Sequence, residues 1–351
     1  MKFIRGALLC AVLALPVQTH AQETINLTVA SSHPTVVPWV GMIQTHFMAK
    51  TDEILAGEGN YKIEWNEAFG GQLYKANATL TSVEEGITDV GWVFSFLEQA
   101  KLPLSQGSSN APFATSNPPL LLKVMEDLIE NNEAFKNEWE QHNLKVLGLT
   151  ATDLYDFYLK EPISGIEDLD GRKISAPGVL GNWLRGTGAN AVDGSLPTYY
   201  TDVQTGVSDG VLSLALGALP IKLYEVAPYI ARFDGGAVFS GAVAINRDTW
   251  DGLPEEVQNA MIEAGKYYTE SHGKDLVERH EFALNKMVEL GATIIEMPDG
   301  ETAKWVNLLP DIAGEWAGPL EERGIPADAF LAAYMEGLRA AGASPVRDWD
   351  K

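Results

Sequence analysis

Residues 206 to 210 read G-V-S-D-G and match the G-x-S-x-G pattern that carries the nucleophilic serine of α/β-hydrolases. In those enzymes the pattern follows a strand and opens a helix, so that the serine hydroxyl is exposed at the end of the sheet. Here a helical pattern, Thr198 to Gln204, precedes it and an apolar strand, Val211 to Leu216, follows. The order is reversed, so the sequence favours a turn at Ser208, and an exported serine hydrolase remains the less favoured alternative.

The densest group of potential metal ligands comprises His272, Glu278, His280 and Glu281. The two histidines are eight residues apart, which is more than two turns of a helix. Zinc sites on helices favour separations of three or four residues. We therefore interpret this group as a solvated helix face and predict no metal site, no cofactor and no catalytic residues. The sequence predicts a protein that is not an enzyme.

The elements of the first part of the chain alternate between strands and helices. Strands are predicted at Ile25 to Ala30, Tyr61 to Asn66 and Thr88 to Phe94, with helices at Val37 to Thr51 and Ala76 to Glu85. Such alternation is typical of a parallel sheet flanked by helices, which places the chain in the α/β class.

The rest of the chain continues this pattern and adds one very long helix. A single amphipathic helix is predicted over Leu120 to His142, and short strands over Lys173 to Ala176 and Val238 to Asn246. From Leu253 to Leu290 a helical pattern runs without a strong breaker, which corresponds to roughly 55 Å at 1.5 Å per residue. An element of this length is expected to span two lobes.

The first 21 residues have the pattern of a secretory signal peptide. Lys2 and Arg5 precede an apolar run, Ala7 to Leu15, which falls short of the roughly 20 residues of a membrane-spanning helix. A small-x-small site predicts cleavage near Ala21 and export to the periplasm. Because Cys10 is removed with this segment, the exported chain has no cysteine and must be stabilised by burial.

The charge of the chain excludes one class of partner. Asp and Glu number 48 against 25 Lys and Arg, and removal of Lys2 and Arg5 takes the formal net charge from -23 to -25. Nucleic-acid binding needs a basic face for the phosphates, so no nucleic-acid partner is predicted. No stretch after the signal peptide is apolar enough to span a bilayer, so the exported chain is not expected to be embedded in the membrane.

Five further stretches occur in the order and spacing of one known family: Gly71 to Leu73, Glu85 to Val90, Glu167 to Ile174, Val203 to Gly210 and Asn246 to Glu255. On these motifs the chain resembles the substrate-binding proteins of tripartite ATP-independent periplasmic (TRAP) transporters, across nearly the whole exported chain. No single motif is specific for this family, but the five motifs together are.

The resemblance implies a two-lobe periplasmic solute-binding fold, with a long helix crossing both lobes and a ligand enclosed between them. The predicted division is a signal peptide over 1–21, a first lobe over 22–151 and 237–279, and a second lobe over 152–236 and 280–351. The resemblance also implies delivery of the ligand to separate membrane subunits of a TRAP transporter. A stand-alone sensor protein that presents its ligand to a receptor remains the alternative.

The chain departs from the family pattern at the position that normally binds the ligand carboxylate. Most such proteins read I-R-x-P where this chain reads Ile174-Ser175-Ala176-Pro177, so the ligand-binding arginine is absent. A serine hydroxyl supplies neither the charge nor the planar fork of a guanidinium. A displaced arginine such as Arg185 is the open alternative. The ligand is expected to be an organic acid or a neutral or amine-bearing polar compound.

The alignment with the family also places eight candidate ligand-binding residues at strand ends and at the crossover between the lobes. They are Ser32, Asn77, Trp92, Phe94, Asp153, Tyr155, Ser175 and Ser213. Trp39 and Trp183 are interpreted as packing residues.

Overall fold

The structure, a computed structural model, describes residues 22–351, so the predicted signal peptide and Cys10 lie outside the described residues. Two β-sheets with helices packed around them form the molecule, which confirms the predicted two-lobe α/β fold. Within the described range, no helix combines the length and the apolar character needed to cross a membrane.

Sheet A has five strands in the order β2-β1-β3-β10-β4. Its strands are β1 (Glu23–Ala30), β2 (Tyr61–Ala68), β3 (Val90–Phe94), β4 (Leu144–Ala151) and β10 (Phe239–Asn246). Strands β1, β2 and β3 are parallel, and β10 runs antiparallel to β3 and β4. All residues of the central strand β10 are buried, because both faces of a central strand are covered.

Sheet B has six strands in the order β11-β9-β5-β8-β6-β7. Its strands are β5 (Tyr155–Leu159), β6 (Lys173–Ala176), β7 (Asn190–Asp193), β8 (Gly210–Leu214), β9 (Tyr229–Arg232) and β11 (Thr293–Glu296). Strands β6, β7 and β8 are parallel, and β5 is antiparallel to β8 and β9. The chain passes directly from β4 of sheet A to β5 of sheet B.

The helices surround both sheets. They are α1 (Pro38–Met42), α2 (Ala49–Glu58), α3 (Thr79–Glu84), α4 (Pro118–Asn131), α5 (Glu133–Glu140), α6 (Leu196–Thr205), α7 (Ala215–Ala218), α8 (Arg247–Asp251), α9 (Glu255–Glu289), α10 (Glu301–Leu308), α11 (Ile312–Glu321) and α12 (Ala327–Ala340). A π-helical segment, Ile43–Met48, joins α1 to α2.

The long helix α9 has 35 residues and confirms the predicted helix within two residues at its start. The negative charges of Glu255 and Glu256 in its first turn interact favourably with the helix dipole and stabilise the start of α9. Gly265 lets α9 lie directly on sheet A, because a Cβ there would be 2.1 Å from the carbonyl oxygen of Leu147. A larger residue at this position would push α9 away from β4.

The single helix predicted over Leu120 to His142 is instead two helices, α4 and α5. The prediction missed the break at Asn132, whose side-chain oxygen accepts a hydrogen bond from the backbone N–H of Phe135. Asparagine favours this capping position over a helix interior because its side chain competes for the backbone.

The C-terminal helices join parts of the chain from both predicted lobes. Trp305 of α10 donates its indole N–H to the carbonyl of Trp183 at 2.6 Å, and Trp316 of α11 donates to Pro103 at 3.3 Å. Helix α12 packs against α4. The residues from 280 onward therefore contact residues of the first lobe as well as the second, and the predicted lobe boundaries stay a prediction.

Candidate functional site

The space between the two sheets is bordered by the carboxyl ends of strands. Because β4 leads directly to sheet B, the edge of sheet A that faces sheet B carries the carboxyl ends of β1, β3 and β4. Strands β6 and β8 run opposite to β5, so their carboxyl ends face sheet A. Ligands of open α/β sheets bind outside such carboxyl ends.

An aromatic cluster occupies this edge of sheet A. Its members lie after β1, at the start of α1 and along the end of β3: His33, Trp39, Trp92, Phe94 and Phe96. Trp92 and Phe94 stack with ring centroids 5.1 Å apart and 22° between the planes. The ring of His33 meets Trp92 edge-on at 5.2 Å. The structure therefore brings the predicted Trp92 and Phe94 together.

Trp92 forms the buried base of the aromatic cluster. Its side chain is 1% exposed, and its indole N–H donates to Oγ1 of Thr150 in β4 at 3.0 Å. Ser240 of β10 bonds the same hydroxyl at 3.1 Å. These two hydrogen bonds fix the orientation of Trp92, while the half-buried Phe94 extends toward the edge of the sheet.

The polar groups beside the rings carry little charge. Ser32, a predicted site residue, lies 2.9 Å from Nδ1 of His33 through its hydroxyl oxygen. Burial lowers the pKa of His33, so its ring is neutral at pH 7. The ammonium of Lys75 donates a hydrogen bond to the carbonyl of Gly71 at 2.9 Å. Gly71 lies close to Ser32, because a Cβ on Gly71 would be 3.3 Å from the carbonyl oxygen of Ser32.

His33 and Lys75 were not among the predicted site residues. His33 directly follows Ser32 after the end of β1, so the rule that predicted Ser32 from its place at a strand end applies to His33 as well. Lys75 follows the Gly-Gly turn, and only the fold shows that this turn returns to Ser32. The predicted Asn77 lies close by in sequence, in the exposed 3₁₀ turn Ala76–Ala78.

A second group of polar residues lies where the chain crosses between the sheets. This crossover cluster consists of Asp153, Asp156, Asp234 and His280. Asp153 is 1% exposed, and its Oδ2 accepts hydrogen bonds from Nδ1 of His280 at 3.0 Å and from the N–H of Leu216 at 3.1 Å. The predicted site residue Asp153 thus contacts α9.

The electrostatics of the crossover cluster are dominated by burial. Burial lowers the pKa of His280, but the hydrogen bond and charge of Asp153 outweigh it, so the pKa is raised. Burial, followed by the charge of Asp234, raises the pKa of Asp156 to about 7. Ser213, another predicted site residue, lies directly opposite Asp156 on β8, so their side chains share one face of sheet B.

Tyr155 lies on the other face of sheet B from Asp156. Its ring packs against Trp183 at 5.6 Å, and both side chains are buried. Its carbonyl accepts a hydrogen bond at 2.9 Å from the N–H of Gly235, which lies in the connection from β9 to β10, where the chain crosses between the sheets a second time. Trp183 is fully buried, in agreement with its interpretation as a packing residue.

The interpretation of His272 and His280 as a solvated helix face was wrong. His272 is 0% exposed and His280 4% exposed, and both face the crossovers. Nε2 of His272 lies 3.1 Å from the carbonyl oxygen of Ala151, and burial lowers the pKa of His272 to about 4. The error arose because the helical pattern does not show which face another element covers.

Ser175 lies apart from the other predicted residues. It is aligned with Val192 and Val211, and Val211 packs with Tyr199 of α6, so Ser175 points toward the α6 side of sheet B. Its hydroxyl is fully buried and has no hydrogen-bond partner among residues 22–351. In this structure Ser175 is closed off from solvent.

The displaced-arginine alternative finds no support at Arg185. Its guanidinium is paired with Glu315 of α11, through both Nη1 and Nη2, the latter at 3.1 Å from Oε1. Both side chains are largely exposed on the molecular surface. Arg185 is thus engaged with helix α11.

Ser208 has the environment of a turn residue. It follows Gly206, which ends α6 in the left-handed conformation, and it precedes β8. Its hydroxyl is buried and has no hydrogen-bond partner within the described part of the chain, so no imidazole contacts it there. The helix-turn-strand order expected from the sequence is confirmed.

A family model described as "Bacterial extracellular solute-binding protein, family 7" (DctP) matches residues 30–317, which is more than half of the chain. The C4-dicarboxylate-binding periplasmic protein DctP of Rhodobacter capsulatus is 26% identical over 57% of this chain and 62% of its own. The ectoine-binding periplasmic protein TeaA of Halomonas elongata is 29% identical over 42% and 44%, respectively. The chain thus matches less than two thirds of the length of either relative.

Among solved structures, a TRAP periplasmic solute-binding protein from Desulfovibrio salexigens has a TM-score of 0.79 and 22% sequence identity. The match covers 91% of this chain and 98% of that chain. At this identity the likeness shows a shared fold.

Proposed function

We propose, from the premise that the chain belongs to family 7 of bacterial extracellular solute-binding proteins, that it binds one small organic solute between its two sheets and releases it unaltered. The membership confirms the resemblance drawn from the sequence motifs. The observation that carries the proposal is the aromatic cluster at the carboxyl edge of sheet A, which faces sheet B.

The aromatic cluster favours a ligand with an apolar, flat or cationic part. The half-buried Phe94, backed by the buried Trp92, offers a ring to a ligand, and a cation over such a ring gains roughly 0.5 to 2 kcal/mol, depending on desolvation. Lys75 is the cation beside this edge, and it would pair with a ligand carboxylate in place of the arginine that is absent at Ser175. A small organic acid or a zwitterion satisfies both groups.

The relatives support this range of ligands. One is named for C4-dicarboxylates and the other for ectoine. A thermal-shift screen with succinate, ectoine and further small acids identifies the class, since a ligand at 100 times its dissociation constant adds about 2.7 kcal/mol to the unfolding free energy. A chain that no small metabolite stabilises would contradict the proposal.

The contribution of the aromatic cluster is tested with two phenylalanine variants. Phe94→Ala is expected to weaken binding of the ligand found in the screen by about tenfold, since loss of one ring contact costs on the order of 1 to 2 kcal/mol. Phe282→Ala is the matched control, because Phe282 is 63% exposed on α9. Isothermal titration gives both affinities, and equal loss in the two variants would rule out the cluster as the site.

Delivery to TRAP membrane subunits completes the proposed function. A ligand held by contacts to both sheets would favour a closed conformation, which a membrane partner can distinguish from the open one. Uptake of the identified ligand into vesicles that carry the membrane subunits of a TRAP transporter from the same organism tests delivery. Binding without uptake would favour a sensor that presents its ligand to a receptor.

A further inference from the structure

The crossover cluster combines carboxylates from two segments of the chain with a histidine of the long helix. Asp156 lies in β5, Asp234 lies in the connection from β9 to β10, and His280 lies in α9. Each of the three brings one potential ligand atom to within 4.8 Å of the other two. Asp156 is 0% exposed and His280 is 4% exposed, whereas the side chain of Asp234 is 41% exposed, so the cluster is buried on two sides and reaches solvent at Asp234.

The backbone around Asp234 is held in place for this arrangement. Oδ1 of Asp156 accepts hydrogen bonds from the N–H groups of Phe233 and Asp234, at 2.8 and 3.0 Å. Asp234 itself has φ +50°, a left-handed conformation that aspartate and asparagine adopt more readily than most residues. The turn therefore presents the Asp234 carboxylate beside Asp156 at a fixed position.

Three buried polar atoms of the crossover cluster lack a partner among residues 22–351; one is Oδ1 of Asp153, and the other two belong to residues whose potential ligand atoms lie within 4.8 Å of one another. Oδ2 of Asp156 and Nε2 of His280 make no hydrogen bond to any of residues 22–351. A buried polar atom left without a partner costs free energy, and the cost is larger for a charged group. The atoms of Asp156 and His280 belong to residues whose potential ligand atoms lie within 4.8 Å of one another, so they indicate a group bound between these two residues.

Asp153 orients the histidine for this role. A carboxylate oxygen only accepts, so the contact between Oδ2 of Asp153 and Nδ1 of His280 requires the proton on Nδ1. When the ring gives up its second proton to bind a metal, its lone pair is therefore on Nε2. Histidines that bind metals usually donate their other ring N–H to a carboxylate or a carbonyl in this way.

The neighbouring charges leave a place for a cation. Arg232 donates through Nε to Oδ1 of Asp234 at 3.0 Å, and through Nη2 to Glu281 at 2.5 Å. One oxygen of Asp234 thus stays available. Asp153 contacts His280, the potential ligand atoms of Asp156 and Asp234 lie within 4.8 Å of that of His280, and Arg232 is the cation paired with Asp234.

We propose that Asp156, Asp234 and His280 bind a divalent transition-metal cation, with zinc as the best match, and that Asp153 positions His280 for it. One imidazole nitrogen and two carboxylate oxygens suit zinc, whereas magnesium and calcium prefer oxygen ligands alone. Water completes the coordination. The bound cation ties β5, the β9–β10 connection and α9 together at the place where the chain crosses between the sheets.

The proposal is tested on the tag-free exported chain after treatment with EDTA and dialysis. Titration with zinc chloride is expected to show one equivalent bound, and magnesium chloride much weaker binding. Saturating zinc is expected to raise Tm by about 5 °C at 100 times its dissociation constant. A chelator-treated chain that binds no zinc, or whose Tm zinc leaves unchanged, would overturn the site.

Three variants assign the binding to these residues. Asp234→Asn keeps a residue that tolerates the left-handed conformation and is expected to weaken zinc binding at least tenfold, and Asp156→Asn is the second ligand variant. His142→Gln is the matched control, because His142 also contacts a carboxylate, Glu84, at 2.8 Å but lies outside the cluster. Metal-free melting curves confirm that each variant folds. Zinc affinity unchanged in both ligand variants, or lost in the control, would overturn the proposal.

Discussion

The aromatic cluster and the crossover cluster both lie near the junction of the two sheets, but they differ in burial, in charge and in how their polar atoms are satisfied. In the aromatic cluster, the indole N–H of Trp92 has a partner and His33 is neutral. In the crossover cluster, carboxylates dominate and Oδ2 of Asp156 lacks a partner within the described residues. We propose that the first region contacts the ligand, whereas the second fixes the path of the chain.

This difference shows that burial alone does not identify a ligand site. Trp92 and Asp156 are equally buried, yet the rings above Trp92 lead outward to the half-buried Phe94, while Asp156 is enclosed by β5, α9 and the β9–β10 connection. The predictions that follow change one region at a time.

The largest expected effect is on stability in the aromatic cluster. Trp92→Ala is expected to lower the unfolding free energy by about 3 to 5 kcal/mol, because it removes a fully packed indole and the partner of Thr150. Denaturant unfolding measures the loss. Trp92→Phe retains most of the packing and serves as the control, and a loss in Trp92→Phe as large as in Trp92→Ala would show that the hydrogen bond, and not packing, dominates.

The next effect concerns pH and the crossover beside α9. Burial holds the pKa of His272 at about 4 in the folded chain, below its ordinary 6.5, so the unfolded chain binds a proton first as the pH falls. The stability that depends on neutral His272 is therefore complete above pH 6.5 and is lost as the pH falls toward 4. The loss amounts to roughly 3 kcal/mol.

The variant His272→Gln isolates this effect from the other titrating groups. Unfolding free energies measured from pH 7 to pH 4 are expected to fall less steeply for His272→Gln than for the original chain. Parallel curves for the two proteins would mean that His272 does not titrate differently in the folded and unfolded states.

The smallest expected effect is at Ser175. Because its buried hydroxyl has no partner in the described chain, Ser175→Ala is expected to leave the unfolding free energy unchanged or raise it by up to about 1 kcal/mol, and to leave ligand affinity within twofold. Ser105→Ala is the matched control, since its buried hydroxyl donates to Glu138 at 2.7 Å and its loss should destabilise. A tenfold drop in ligand affinity for Ser175→Ala would place sheet B in the binding site at this position.

Much of the fold could be predicted because it follows from local patterns. The alternation of strands and helices, and the end of α6 at Gly206, depend on apolar spacing and on residues that terminate helices. The break at Asn132 was missed because asparagine also occurs within helices. The order of the strands in each sheet depends on pairing between distant segments, which no local pattern encodes.

The site could be predicted only in part. Ser32, Trp92 and Phe94 were placed by the rule that ligands bind at strand ends, and the structure brings them together around His33. Asp153 and Tyr155 were placed at the crossover and Ser213 on the strand that follows Asp209 and Gly210. However, Asp153 contacts His280 of α9 and Tyr155 contacts Gly235, which are more than 75 residues away in sequence. Their roles depend on contacts that the alignment of strand ends does not describe.

The sequence by itself determined the α/β class, the long helix α9 and the family, because apolar periodicity, capping residues and spaced motifs are properties of contiguous residues. Only the tertiary structure decided that His272 and His280 are buried, that Ser175 faces α6 and that Arg185 pairs with Glu315. The physical reason is that burial and charge pairing depend on which distant element covers a side chain.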